Sequence, residues 1–146
     1  MPLLGPTDPL PFAPQRITVN GTTGSGKSTL ARRVGEQLNL PYTELDSLFH
    51  GPDWTPRYSF VEEVERFASE PAWVTEFQYD QARPLLVERA DLMVWLDISR
   101  PLVMWRVTRR TVSRRWRRPE LVVVRLTSTA EVESWLDGPA GAGSRG

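Results

Sequence analysis

Short, almost uninterrupted apolar runs alternate along this chain with longer segments in which apolar residues return every three or four positions. The runs LMVWL at 92–96 and LVVV at 121–124 have no polar face, as strands covered on both sides require. The pattern predicts strands over Arg16 to Asn20, Tyr42 to Asp46, Ala72 to Glu76, Asp91 to Asp97 and Leu121 to Leu126. Helices are expected between them, over Lys27 to Leu38, Phe60 to Ser69, Pro84 to Arg89, Arg100 to Trp116 and Ala130 to Leu136. Strictly alternating elements predict an α/β fold: a five-stranded parallel sheet flanked by helices, with right-handed crossovers and the ligand beyond the carboxyl ends of the strands.

Five of the first fourteen residues are proline. Proline neither pairs within a sheet nor continues a helix, so residues 1–14 are expected to be a disordered arm. Residues 15–137 then make one domain and residues 138–146 a flexible tail. A length of 146 residues with 40% hydrophobic content supports one core and leaves too little chain for two.

Eighteen basic residues balance eighteen acidic ones, so no global field draws in nucleic acid or an anionic membrane. Seventeen of those eighteen basic residues are arginine, which makes the single lysine, Lys27, a position-specific choice. The chain has no cysteine and one histidine, which excludes disulfides and thiolate sites and argues against zinc. A reducing compartment fits this composition, with the cytoplasm as the default. The opening residues carry no basic region and are broken by prolines, so neither a secretion signal nor a membrane span is expected there.

The segment Gly21-Thr22-Thr23-Gly24-Ser25-Gly26-Lys27-Ser28-Thr29 matches G-x-x-x-x-G-K-[ST], follows an expected strand and opens an expected helix. Glycines there permit positive φ and let backbone amides wrap phosphate oxygens, while the helix N-terminus adds free N–H groups and partial positive charge. Lys27 is expected on the β- and γ-phosphates of ATP or GTP, and the Ser28 hydroxyl on Mg²⁺. The architecture expected is therefore a P-loop three-layer sandwich.

Three acids stand at successive strand ends: Asp46, Glu76 and Asp97. A carboxylate on that rim orders metal-bound water or takes the proton of an attacking hydroxyl. Asp97, which precedes Ile98-Ser99-Arg100-Pro101, can equally cap a helix. Arg83 follows the third strand, and Arg100, Arg106, Arg109 and Arg110 follow the fourth, where guanidinium groups suit clamping phosphates. Their alternative is a solvated helix face, with Leu102, Trp105, Val112 and Trp116 packing down at helical spacing. Thr127, Ser128 and Thr129 either approach the nucleotide base or cap the last helix.

The P-loop, Leu-Asp-Ser-Leu-Phe with Trp54, Trp-Val-Thr-Glu-Phe-Gln-Tyr, Arg-Ala-Asp-Leu-Met-Val-Trp-Leu-Asp and the arginine-rich segment together resemble adenylate-kinase-like proteins of the topology modulation type. The resemblance runs from about Arg16 to Leu136. It implies a nucleotide-kinase fold using ATP (or GTP) and Mg²⁺, with Asp46 on the acceptor or metal, Glu76 as the acid after the third strand, and an arginine-bearing lid starting after Asp97. Here Arg115-Trp116-Arg117-Arg118-Pro119 runs straight into the last strand, so the lid is expected to be short. A short lid excludes water poorly, which leaves two expectations: phosphoryl transfer to a small nucleotide- or nucleoside-type acceptor, or a nucleotide-binding regulatory protein or weak ATPase that has lost transfer. No membrane partner is expected.

Overall fold

The computed structural model describes residues 3–21, 26–45, 60–79, 81–98 and 121–140. In chain order the elements are β1 (Leu3–Leu4), β2 (Arg16–Gly21), α1 (Lys27–Leu38), α2 (Phe60–Ala68), β3 (Trp73–Glu76), α3 (Arg83–Arg89), β4 (Leu92–Leu96), β5 (Val122–Leu126) and α4 (Thr129–Asp137). The five strands form one sheet in the order β1-β5-β4-β2-β3, and every neighbouring pair is parallel.

Strand residues alternate between two apolar layers, as a pleated sheet covered on both faces demands. Ile17, Val19, Val74, Leu92, Val94, Leu96, Val124 and Leu126 pack with Leu30, Ala31 and Val34 of α1 and with Val132, Trp135 and Leu136 of α4. Trp73, Met93, Trp95 and Val123 pack on the opposite face with Phe60, Val64 and Phe67 of α2 and Leu86 and Val87 of α3. Helices on both faces of a parallel sheet give the expected three layers. Of the described residues, none belongs to a helix long and apolar enough to cross a membrane.

Three expectations require correction. The expected strand Tyr42 to Asp46 is replaced by a single parallel bridge, Tyr42 with Val74, flanked by bonds from Val74 N to Pro41 O (2.8 Å) and from Thr43 N to Val74 O (3.0 Å). The fifth strand comes instead from the proline-rich start, where Leu3 and Leu4 pair with Val123 and Val124. Five prolines do not bar the whole stretch from the sheet. They bar only themselves: Leu3 and Leu4 lie between Pro2 and Pro6, and an edge strand pairs on one side alone. Leu10 packs on the α1/α4 layer and Pro14 is buried. The tail is likewise not loose at its beginning, because Ala140 is fully buried in that same layer. The expected helix Arg100 to Trp116 lies outside the described residues.

At the bottom of the sheet, Asp91 ties β2 to β4. Its carboxylate accepts the backbone N–H groups of Gln15 (2.9 Å) and Arg16 (3.2 Å), while its own N–H donates to Arg16 O (2.9 Å). These bonds fix the register that sets Gly21 opposite Leu96 at the other end.

Candidate active site

β2 delivers the chain to the carboxyl rim at Gly21, and α1 starts six residues later at Lys27. Residues 22–25, and with them the expected contacts of Thr22, Thr23, Gly24 and Ser25, lie outside the described residues. Gly26 sits at φ 94°, ψ 17°, the left-handed region, while the atom nearest to an added Cβ is 4.0 Å away. Glycine is therefore needed for backbone conformation and not for space. Among the described residues no side chain caps α1, and its first turn carries no acid. The first-turn N–H groups and the positive end of the helix dipole face the rim, which suits an anion there.

Ser28 and Glu76 meet on this rim. The Ser28 hydroxyl donates to Glu76 Oε1 at 2.7 Å, and the Tyr42 hydroxyl donates to Glu76 Oε2 at 3.1 Å. Glu76 is only 3% exposed, and no cation pairs with it among the described residues. β3 places it level with Val19 of β2, and Phe77 N donates to Val19 O (2.7 Å) to hold the strand end against the P-loop strand. Burial, and then the adjacent negative charge of Glu76, push the Tyr42 phenol up to about 12, so it remains a donor at neutral pH. A hydroxyl and a carboxylate in contact are hard oxygen donors of the kind Mg²⁺ takes. Among the described residues no cluster of three acidic, histidine or cysteine side chains could hold a metal alone. The pair thus fits a magnesium ion held jointly with substrate phosphates.

Asp97 does not join this pair. It is 4% exposed, and Arg125 Nε donates to its Oδ2 at 3.2 Å. Burial raises the Asp97 carboxyl above its ordinary range, and the Arg125 guanidinium offsets only part of that rise. Sequence reasoning missed Arg125; the available signal was a charged residue inside the apolar run LVVVRL, which needs a partner once buried. Arg83 opens α3, its guanidinium 5.6 Å from the centre of the Phe77 ring, beside the residue that follows Glu76. Asp46, Arg100, Arg106, Arg109 and Arg110 lie outside the described residues.

A cavity of ≈ 230 Å³ opens between the start of α1, the end of β4 and α4. Gly26, Thr29, Leu96, Ile98 and Thr129 line it, together with Arg33 and Glu133, whose side chains form a two-bond ion pair at 2.6 and 2.9 Å. Ser128 resolves in favour of capping: its Oγ accepts Glu131 N (3.1 Å), and Glu131 in turn accepts from Thr127 N (3.1 Å) and Thr127 Oγ1 (2.6 Å).

No protein-family model matches the chain. A cytidylate kinase from Nitratidesulfovibrio vulgaris is 41% identical over 44 residues, which are 30% of this chain and 19% of that protein. A cytidylate kinase from Lawsonia intracellularis is 52% identical over 33 residues, 23% of this chain and 15% of that protein. The matches thus span less than a fifth of those relatives' lengths. Among solved structures, shikimate kinase from Aquifex aeolicus superposes with a TM-score of 0.52 at 16% identity, over 84% of this chain and 91% of that one. The chain has the three-layer α/β fold of the P-loop kinases.

Proposed function

We propose that this protein is a small-molecule kinase that transfers the γ-phosphoryl group of ATP (or GTP) to a hydroxyl of a nucleotide- or nucleoside-type acceptor. The observation that carries the reading is the Ser28–Glu76 contact at a helix N-terminus that follows a left-handed glycine. In this reading the loop amides and Lys27 hold the donor phosphates, and Ser28 and Glu76 hold Mg²⁺, with Asp46 as a further candidate ligand. The cavity beside Thr129 takes the base. When bound, the metal neutralises phosphate charge and fixes its orientation. The acceptor oxygen attacks the γ-phosphorus in line, the bond to the β,γ-bridging oxygen breaks, and the acceptor's proton passes to Asp46. The nucleoside diphosphate leaves with the bond's electron pair. Arg83, Arg106, Arg109 and Arg110 are the candidates for spreading the charge of the group in flight. The absence of cysteine accords with a cytoplasmic site of action.

Replacing Asp46 by asparagine separates its two possible roles. A proton acceptor and orienting group acts in the transition state, so Asp46→Asn is expected to lower transfer by about 10²-fold while changing ATP affinity by less than about threefold. Parallel steady-state kinetics and nucleotide-dependent melting check this. Equal losses in both would remove Asp46 from the acceptor side.

The short segment between Asp97 and β5 favours a second reading, in which nucleotide is bound but water or nothing accepts the phosphoryl group.

A further inference from the structure

Both carboxylate oxygens of Glu76 are held, and the two donors have different prospects. Ser28, at the second residue of α1, is the hydroxyl expected to turn to the metal once nucleotide is bound. Tyr42 then remains the one donor on Glu76 among the described residues. A glutamate has three side-chain torsions, and a carboxylate that must meet a metal at fixed distance needs its last torsion locked by a neighbour. We propose that Tyr42 is the positioning residue of the site: its hydroxyl, 3.1 Å from Glu76 Oε2, holds that carboxylate in the orientation that receives the metal of the bound nucleotide. This inference rests on the assignment of Glu76 to the metal.

The phenol is itself well anchored. Backbone bonds between Pro41, Thr43 and Val74 fix the segment beside β3, and Thr75 Oγ1 donates to Thr43 O at 2.7 Å. Gly35 of α1 lets that segment approach closely: a Cβ there would stand 3.5 Å from Tyr42 Cβ and 3.0 Å from Leu40 O. The Arg32 guanidinium covers the ring, 5.7 Å from its centre. Tyr42 shares the sheet face of Val74 and packs against the α1 layer, so its hydroxyl reaches Glu76 from the helix side, beside Ser28. None of these supports depends on nucleotide, as preorganisation requires.

Tyr42→Phe removes the hydroxyl and keeps the ring. The probe is a non-hydrolysable ATP analogue at fixed saturating concentration, with Mg²⁺ titrated and the melting temperature read. Tyr42→Phe is expected to raise the Mg²⁺ midpoint of the nucleotide-dependent stabilisation by about tenfold, with Glu76→Gln raising it at least as far. The melting temperature without ligand should fall by only a few degrees, because Glu76 Oε2 loses its donor while Ser28 still donates to Oε1. In the Glu76→Gln background, Tyr42→Phe should add nothing to the midpoint, because the group it positions is gone. An unchanged midpoint in Tyr42→Phe beside a raised one in Glu76→Gln would overturn the role of Tyr42 alone. Unchanged midpoints in both would overturn the metal assignment of Glu76 and this inference with it. A raised midpoint of equal size in the Glu76→Gln background would also overturn it, since the effect would then not pass through Glu76.

Discussion

Replacing Lys27 by alanine is expected to erase the thermal stabilisation by Mg²⁺ and ATP that the proposed function entails. At a ligand concentration one hundred times Kd, binding to the native state alone contributes about 2.7 kcal/mol, which for a chain of this size raises Tm by about 8 °C. The loss falls on the ligand-dependent part of stability. The Lys27 side chain makes no hydrogen bond or ion pair among the described residues, so its truncation removes little from the unliganded fold. Alanine is also the best helix former for the first position of α1. Melting curves with and without nucleotide should therefore coincide for the variant and separate for the parent. A preserved shift in Lys27→Ala would move the phosphate site away from this loop.

Glu76→Gln is the second change with a large expected effect, and for the opposite structural reason. Glu76 is buried and already engaged, yet glutamine has the same shape, and its carbonyl oxygen can still accept from one of the two hydroxyls. The variant also removes a carboxylate that has no cationic partner among the described residues. Its unliganded stability should thus stay within about 1 kcal/mol of the parent. Catalysis should not survive as well: losing one anionic oxygen donor of a metal is expected to lower transfer by about 10²-fold. Urea melts check the first half and initial rates the second. A variant that transfers normally would make Glu76 a strand-end acid with only a structural part.

Much of this architecture was legible in the residue pattern, because strands covered on both faces show as apolar runs and an amphipathic helix after a glycine loop has a sharp start. α1 occupies Lys27–Leu38 as expected, and β4 lies within Asp91 to Asp97. Tyr42 looked like the opening residue of a strand; its value lies in a contact with Glu76, 34 positions away, and pairing across such a distance leaves no periodicity. The run from Tyr42 alternates too few residues to show that pairing ends after one bridge. At the N-terminus, proline content outweighed the two leucines between prolines, although an edge strand needs only one bonded side. The Asp97–Arg125 pair was hidden for the reason Tyr42 was, since neighbouring strands β4 and β5 are separated by 25 residues of chain between Leu96 and Val122.

The cradle formed by Gly26, Lys27, Ser28 and Glu76 is read as a device for handing a phosphoryl group to a small acceptor, and one measurement addresses that directly. Purified protein is incubated with Mg²⁺ and γ-labelled ATP in the presence of a panel of nucleosides, nucleotides and small hydroxylated metabolites, and labelled product is resolved from free phosphate. The account predicts label in one acceptor, dependent on Lys27 and on Mg²⁺. Label found only in free phosphate, or no turnover by a protein that ATP still stabilises, would contradict it and leave a nucleotide-binding protein whose short segment after Asp97 no longer supports transfer.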